Sequence, residues 1–291
     1  MKRLVVIAGA TGSGKTDVSI RLARKLGAPI ISTDSRQIYR GIPIGTAQPT
    51  AEQLAAAEHH FIATHELTEN FSCGEFEVQA LALLEKLFEK HDTVIAVGGS
   101  GLYIKALCDG MDDLPEVDAE LRRSLNERLQ NEGIASLLAD LQRLDPEYYG
   151  QVDRDNPSRV LRAVEVCMQS GIPYSSMRTG RRRERKFQII KFGIEMERSV
   201  LYDRINRRVD AMIAEGLEEE ARKVWPLKHL NSLQTVGYRE FFDYFDGKTD
   251  RDTAIELIKR NSRRYAKRQM TWFRRDGEIK WMTAEEIIEF R

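Results

Sequence analysis

Residues 4–16 read LVVIAGATGSGKT, an apolar run that leads into a complete G-x-x-x-x-G-K-T phosphate loop. A helical pattern follows, with Val18, Leu22 and Leu26 on one face before Gly27. A strand before the loop and a helix after it are the context in which this motif binds phosphate. The stretch therefore predicts a phosphate-loop fold that holds a diphosphate or a triphosphate.

The residue types of the loop each have a chemical reason. Glycines let backbone N–H groups turn inward around an anion, and Lys15 adds a mobile positive charge. The dipole of the next helix also favours an anion at its N-terminus. The Thr16 hydroxyl is a candidate ligand for Mg²⁺, which we expect as the cofactor. The predicted diphosphate- or nucleotide-binding residues are Gly9, Ala10, Thr11, Gly12, Ser13, Gly14, Lys15 and Thr16.

The order of elements predicts an α/β fold, with a parallel sheet like that of the P-loop NTPases flanked by helices. Strand signals recur at 4–8, 29–33, 93–97 and 188–196. Between 113 and 180 they stop, and helices are predicted at 119–131, 134–144 and 158–170. We expect a catalytic core formed by 1–112 and 181–291 and a mostly helical insertion domain at 113–180. Two long helices are predicted at 199–224 and 252–274.

The composition is that of a globular chain, since 42% of its 291 residues are hydrophobic and 31% are charged. Cys73, Cys108 and Cys167 are isolated and odd in number, which favours neither a disulfide framework nor a structural zinc site. The phosphate loop begins at residue 9, which leaves no space for a signal peptide, and no apolar run has membrane-spanning length. We expect a cytoplasmic monomer without a membrane partner.

The 45 basic and 45 acidic residues cancel, but they are unevenly distributed. Seven basic residues and one acid lie between Arg178 and Lys191, and eight basic residues without an acid lie from Lys259 to Arg275. A single charged run is as consistent with a solvated helix face as with a binding surface. Two such runs in a phosphate-loop protein favour a polyanionic partner.

Two further segments lie where predicted strands end, at the sheet edge that binds ligands in this class of fold. Asp34 follows the second strand, where a carboxylate can hold Mg²⁺ through water, take a proton from a substrate, or only cap the next helix. The third strand ends in Gly98-Gly99-Ser100 and lacks the Asp of an ordinary Walker B strand. The glycines indicate a close approach to a ligand, to which Ser100 would present its hydroxyl.

In these segments and others the chain resembles the bacterial tRNA dimethylallyltransferases, also called tRNA isopentenyltransferases or the IPP transferase family. The similar segments are 9–16, STDSRQIYRG around 34–37, 45–47, 98–103, NPSRVLRAVEV at 156–166, RVDAMIAEGL at 208–217, VGYRE at 236–240 and YAKRQMTWFR at 265–274. The ordered set is specific to that family. Three residues depart from its usual pattern: Ala10 replaces Pro, Gly12 replaces a small residue such as Ala, and Ser100 replaces Thr.

The resemblance implies a reaction. Members of the family move a five-carbon group from dimethylallyl diphosphate to N6 of the adenosine just 3′ of the anticodon, tRNA position 37. By resemblance the catalytic residues are Asp34 as the base for the amine, Ser100 near the reacting atoms, and Lys15 with Arg208 on the diphosphate. From the residues alone, any of the three arginines at 204–208 could reach the phosphates. The partner implied is the anticodon stem-loop of tRNA, from which the adenosine must flip out.

The resemblance also implies a set of tRNA contacts, spread over the core and the helical insertion domain. The set is Asp34, Ser35, Arg36, Gln37, Ser100, Arg122, Ser158, Arg159, Arg162, Gly237, Tyr238, Arg239, Lys267, Arg268, Gln269 and Arg274. Trp272 and Phe273 interleave with the charges of the last long helix, although both are as consistent with a core position.

Other functions share parts of this pattern. A small-molecule kinase of the shikimate or nucleoside type has a phosphate loop, an Asp after the second strand and a glycine-rich third strand, but it needs no helical insertion and no basic helices. A nucleotide-gated RNA-binding module leaves Asp34 and Ser100 unexplained. Prenylation of free AMP or ATP would use related machinery, although basic helices favour a polymeric acceptor. His59, His60 and His65 lack a fourth partner for a metal site and stay unassigned.

Overall fold

A computed structural model describes residues 1–290, which group into two compact units. One unit is Met1–Cys108 with Glu184–Arg291, and the other is Asp109–Arg183. The first unit contains a six-stranded sheet, and the second is helical. The segment 113–180, expected as a helical insertion domain, lies within the second unit.

The sheet has the strand order β3-β2-β4-β1-β5-β6, and its neighbours are parallel. The strands are β1 Arg3–Ala8, β2 Ile30–Ser32, β3 His59–His60, β4 Thr93–Gly98, β5 Gln188–Ile194 and β6 Ile279–Met282. The α/β class and the four predicted strands are confirmed. The two edge strands, β3 and β6, were not predicted because two and four residues are too few to form a periodic pattern.

The helices surround this sheet and form the second unit. They are α1 Lys15–Leu26, α2 Pro43–Thr46, α3 Ala51–Ala56, α4 Cys73–Lys90, α5 Gly101–Asp109, α6 Ala119–Glu132, α7 Ile134–Leu144, α8 Pro146–Gln151, α9 Pro157–Ser170, α10 Tyr174–Met177, α11 Arg198–Ala214, α12 Leu217–Val224, α13 Tyr238–Phe245, α14 Arg251–Phe273 and α15 Ala284–Ile288. The prediction of one helix over 199–224 is wrong. Gly216 has φ 100°, a left-handed conformation that separates α11 from α12.

The central strand β1 is buried on both faces, and its side chains alternate between two cores. Leu4 and Val6 pack in one hydrophobic cluster with α4, α5 and α12–α14. Val5 and Ile7 pack in the other with α1 and α15. A strand covered on both faces reads as a continuous apolar run, as this one does.

The register of the sheet brings three functional segments together. Ala8 at the end of β1 pairs with Gly98 at the end of β4, and Ser32 of β2 pairs with Val97 of β4. Because the strands are parallel, the residues that follow β1, β2 and β4 meet at one edge. The phosphate loop, the turn that contains Asp34 and the glycine-rich end of β4 are therefore neighbours.

Arg185 closes the end of α5 at the point where the chain re-enters the first unit. Its Nη2 donates to the Ala106 carbonyl oxygen and to Glu77 Oε1, both at 2.8 Å, and its Nε donates to the Leu107 carbonyl oxygen at 3.1 Å. The side chains of Arg185 and Glu77 are 9% and 7% exposed. One guanidinium thus satisfies the last carbonyls of a helix and a buried carboxylate.

We expect Arg185→Ala to lower the free energy of unfolding by about 3 kcal/mol, because it removes the guanidinium from a buried carboxylate. Arg181→Ala, at an exposed position of the same segment, is the matched control and should change it by less than about 0.5 kcal/mol. Urea denaturation measures both variants. Equal midpoints for the two would contradict a structural role for Arg185.

Candidate active site

The loop between β1 and α1 forms a cradle whose shape depends on two glycines. Gly12 and Gly14 have φ of 81° and 88°, in the left-handed region. A Cβ at Gly12 would also come within 2.8 Å of Ile205 Cγ1. The Ser13 hydroxyl is buried, and no residue in 1–290 hydrogen-bonds to it. A buried hydroxyl in this state fits an anion as its partner.

Lys15 begins α1 and places its ammonium inside the cradle. Its Nζ donates to the Ala10 carbonyl oxygen at 2.7 Å. Burial lowers the pKa of Lys15 from 10.5 to about 8; the Asp34 carboxylate opposes this shift and the Arg208 guanidinium adds to it. An anion bound here would favour the protonated form and raise that pKa again.

Helix α11 supplies the second cation of the cradle. The Nη1 of Arg208 donates to Thr11 Oγ1 at 3.4 Å, and the side chain lines the same cavity as Lys15. Burial lowers the pKa of Arg208, while the charge of Asp34 opposes that shift. Of the three arginines on this helix segment, Arg208 hydrogen-bonds to the loop, and Arg204 places its guanidinium beside Gly14, where a Cβ would come within 3.1 Å of Nη2. Arg207 is exposed and ion-paired within its own helix.

Asp34 lies in the turn directly after β2. Its Oδ1 accepts hydrogen bonds from the backbone N–H groups of Arg36 at 2.9 Å and Gln37 at 3.3 Å. Residues 35–38 form a turn and the next helix, α2, begins only at Pro43, so Asp34 caps this turn and not a helix, which was one of the roles considered from the sequence. The two hydrogen bonds fix the direction of the carboxylate. The same side chain lines the cavity, where its charge favours the protonated forms of Lys15 and Arg208.

Ser100 connects the end of β4 to the turn of Asp34. Its Oγ accepts from the backbone N–H of Ser35 at 2.9 Å and donates to Ser35 Oγ at 3.1 Å. A change in the position of Ser100 would therefore be transmitted to the residue beside Asp34.

Gln269, one of the residues assigned to tRNA by resemblance, is buried and hydrogen-bonds to two segments of the site. Its Oε1 accepts from the Thr11 backbone N–H at 2.8 Å, and its Nε2 donates to the Gly99 carbonyl oxygen at 2.9 Å. A Cβ at Gly99 would collide with this amide. One side chain of α14 thus joins the phosphate loop to the end of β4.

The cavity at this edge has a volume of about 190 Å³. One part of its lining is polar and contains Lys15, Thr16, Asp34 and Arg208. The other part is apolar and comes from α11, α12, α14 and the segment before α13: Ile205, Val209, Met212, Leu217, Val236 and Ile258. The arrangement suits a ligand with an anionic end and a short apolar end.

Two other residues assigned to tRNA by resemblance use their side chains inside the protein. Gln37 Nε2 donates to the carbonyl oxygens of Thr46 at 3.2 Å and Ala47 at 2.8 Å. Tyr238 is fully buried, and its hydroxyl donates to Glu220 Oε1 at 2.5 Å. Both side chains hold the wall of the cavity.

Glu220 belongs to the same wall and was not predicted from the sequence. Its two carboxylate oxygens accept from the backbone N–H groups of Ile44 at 2.9 Å and Gly45 at 2.8 Å. No local pattern indicates this contact, since Glu220 lies in an acidic run typical of a solvated helix face.

Helix α14 carries a basic groove of about 420 Å³. It is lined by Arg264, Lys267, Arg268, Thr271, Trp272 and Arg275. Trp272 is 41% exposed, whereas Phe273 is buried in the core, which answers the question that the sequence left open for each. Arg239 and Arg274 are also exposed, and Gly237 lines the cavity.

The other basic run, from Arg178 to Lys191, is largely neutralised within the protein. Ion pairs join Arg182 to Asp109, Arg183 to Asp113, Arg185 to Glu77, and Lys191 to Asp276 and Glu278. Because these acids are distant in sequence, the sequence does not show that several cations of the run already have partners inside the protein. The run therefore has fewer free cations for a polyanion than its composition indicates. The α14 groove is the better candidate surface.

In the helical unit, two of the arginines assigned to tRNA converge on one buried acid. Glu165 accepts from Arg122 at 2.6 and 2.5 Å and from Arg162 at 2.5 Å, and these hydrogen bonds lower its pKa although burial opposes the shift. Ser158 and Arg159 are exposed in the first turn of α9. The unit therefore presents cations held in fixed positions.

Within residues 1–290, no group of three or more His, Cys, Asp or Glu side chains is arranged to hold a metal ion. His59 and His60 form the short edge strand β3 instead. No helix in this part of the chain combines the length and the apolar character needed to span a bilayer.

Comparisons with known proteins agree over nearly the whole chain. The IPP transferase family matches residues 37–276. The tRNA dimethylallyltransferase 2 of Parabacteroides distasonis is 51% identical over 286 residues, which are 98% of this chain and 96% of the relative. The crystal structure of a full-length tRNA isopentenylpyrophosphate transferase from Bacillus halodurans has a TM-score of 0.72 at 38% identity, with 99% of this chain and 94% of that chain covered. A eukaryotic dimethylallyltransferase acting on tRNA has a TM-score of 0.84 at 25% identity, with 98% and 74% covered.

The lowered pKa of Lys15 predicts a pH dependence for anion binding in the cradle. Above pH 8 the free protein loses the proton that a bound anion requires, so affinity for inorganic diphosphate should fall by up to about ten-fold per pH unit. Lys15→Ala should bind diphosphate more weakly, and its affinity should lack the pH dependence that comes from Lys15. Because diphosphate itself ionises in the same way for both proteins, the variant corrects for that ionisation. Calorimetry from pH 6.5 to 9.5 measures both proteins, and parallel pH profiles would contradict the role of Lys15.

Proposed function

The chain belongs to the IPP transferase family, and from that membership we propose that it transfers a dimethylallyl group from dimethylallyl diphosphate to N6 of adenosine 37 in tRNA. The products are N6-(dimethylallyl)adenosine and diphosphate. The observation that carries this proposal is the single cavity in which an anion cradle, a carboxylate and an apolar lining meet. We also propose that the enzyme acts in the cytoplasm, where tRNA is used, and that it is a monomer.

The donor substrate fits the two parts of the cavity. Its diphosphate would lie in the loop, with Lys15 and Arg208 facing it and the Ser13 hydroxyl available to one of its oxygens. Its five-carbon group would pack against the apolar lining, which includes Val209, Met212 and Ile258. The cradle and the apolar lining together favour a prenyl diphosphate over a nucleotide.

The chemistry needs a base and a stabilised leaving group. The N6 amine attacks the allylic carbon, and as the C–N bond forms the C–O bond breaks with its electron pair moving to the diphosphate. Lys15 and Arg208 stabilise the charge that develops there. The Asp34 carboxylate, which the backbone of its turn holds in place, takes the proton of the amine. Ser100 joins that turn to the end of β4.

The residues present fit Mg²⁺. The Thr16 hydroxyl and the Asp34 carboxylate are hard oxygen ligands that line one cavity, and Mg²⁺ commonly uses one or two protein ligands with phosphate oxygens and water. Thr16 would hold the ion directly and Asp34 through water. When bound, the ion would neutralise negative charge on the diphosphate.

A kinase function is not favoured. The relatives named above are dimethylallyl- or isopentenyl-transferases. The end of β4 carries Gly99 and Ser100 where a Walker B strand carries an Asp. The basic groove on α14 favours tRNA over free AMP or ATP as the acceptor.

The test combines a product assay with Asp34→Asn. Wild-type protein incubated with dimethylallyl diphosphate, Mg²⁺ and unmodified tRNA should add C5H8 to adenosine, detected by mass spectrometry of nucleosides. Asn keeps the hydrogen bonds of the turn but cannot take the proton, so the single-turnover rate should fall by roughly 10²–10⁴-fold.

Affinities separate the possible roles of Asp34. If it is the base, Asp34→Asn binds both substrates nearly as wild type does. If it mainly holds Mg²⁺, diphosphate affinity falls and excess Mg²⁺ partly restores it. Phosphoryl transfer from ATP to shikimate or a nucleoside, with no prenyl transfer, would overturn the proposed function.

The α14 groove predicts the salt dependence of tRNA binding. Changing Arg264, Lys267 and Arg268 together to Gln should weaken binding and reduce the slope of log affinity against log salt by about two units. The control changes three exposed cations on α1 and α4, namely Arg21, Arg24 and Lys90, to Gln. Filter binding between 50 and 300 mM salt measures the slopes. A slope that changes equally in both variants would mean that the groove is not the contact surface.

A further inference from the structure

Tyr265 lies on α14 and lines the cavity that contains Asp34. It is the only Phe, Tyr or Trp side chain among the cavity-lining residues in 1–290. The residue is 36% exposed, and it belongs to none of the hydrophobic clusters formed by this part of the chain. Its ring is therefore not needed to fill the core.

The neighbours of Tyr265 place it where the cavity meets the basic groove. Arg268, which lines the groove, holds its guanidinium 5.8 Å from the centre of the Tyr265 ring. Gln269, the residue after Arg268, accepts a hydrogen bond from the Thr11 backbone of the phosphate loop. Burial and the nearby Asp34 carboxylate raise the pKa of Tyr265 to about 12, so the ring is a neutral phenol at physiological pH.

With tRNA on the α14 groove, as the proposed function has it, the acceptor adenine crosses this junction to reach the cavity. It leaves the stack of the anticodon loop, loses the contacts of its neighbouring bases, and must bring N6 to Asp34. An exposed aromatic ring replaces lost stacking for any base, because every base has a π-face. We propose that the acceptor adenine stacks on the Tyr265 ring and is thereby held with N6 at Asp34. This inference rests on the proposed function.

The proposal separates the aromatic ring from the hydroxyl of Tyr265. Tyr265→Leu and Tyr265→Met remove the ring at an exposed position, and kcat/KM for tRNA should fall by roughly 5- to 100-fold. Tyr265→Phe keeps the ring and should stay within about two-fold of wild type. The KM for dimethylallyl diphosphate should be unchanged in all three, since Lys15 and Arg208, the cations of the cradle, are intact in each variant; this also reports that the variants are folded.

Tyr202→Leu is the matched control. Tyr202 lies on α11 under the guanidinium of Arg198 at 5.0 Å, but it does not line the cavity. Its substitution should leave kcat/KM for tRNA near the wild-type value. A loss equal to that of Tyr265→Leu would mean that the effect is structural and would overturn the proposal.

A spectroscopic measurement tests stacking directly. An anticodon stem-loop with 2-aminopurine at the acceptor position cannot react, because it lacks the 6-amino group, and its fluorescence depends on stacking. At saturating protein, the complexes of wild type and Tyr265→Phe should have the same fluorescence, and those of Tyr265→Leu and Tyr265→Met should differ from them. Equal fluorescence in all complexes would overturn the proposal.

The activity of the wild-type protein distinguishes failure of the proposed function from failure of the role proposed for Tyr265. Wild-type protein that adds no prenyl group to tRNA would overturn the proposed function. Active wild-type protein whose kcat/KM for tRNA is unaffected by loss of the ring would leave the function intact and remove Tyr265 from the adenine site.

Discussion

The buried amide of Gln269 is the contact on which the rest of the site depends. It binds the backbone of the phosphate loop through Thr11 and the backbone after β4 through Gly99. Because these bonds are made to backbone atoms, they fix the course of both segments whatever side chains they carry. The same helix also carries Tyr265 and the basic groove. One helix therefore fixes the position of the cavity relative to the basic groove.

Around that contact, the charged side chains of the site are stabilised by charged neighbours at fixed positions and not by contact with water. Burial of Lys15 and Arg208 disfavours their charged forms and lowers both pKa values, and the charge of the Asp34 carboxylate partly opposes this effect. Groups that are already desolvated need little rearrangement when a transition state develops charge beside them. A single carboxylate thus favours the charged forms of two cations, and in the proposed reaction the same group takes the proton of the amine.

The sequence predicted the parts of the fold that have a local pattern. The loop, its strand and its helix are predictable because glycine positions and apolar periodicity are local signals. Gly216 is also a local signal, but the helix predicted over 199–224 did not include a break there. The edge strands were missed because they are too short for any period. The internal roles of Gln37, Glu220 and Tyr238 depend on partners remote in sequence, which no pattern in one segment reveals. The ion pairs of the basic run from Arg178 to Lys191 likewise join acids remote in sequence.

The strand order has a consequence for synthesis of the protein on the ribosome. The neighbours of β1 are β4 and β5, and β5 begins only at Gln188, after the whole helical unit has been made. At about 5–20 residues per second, the first strand waits roughly 10–40 s for its second neighbour. During that time one edge of this largely apolar strand has no partner to pair with. The nascent chain therefore passes through a stage in which the strand that precedes its phosphate loop is an aggregation hazard, and rapid shielding by chaperones would favour its yield.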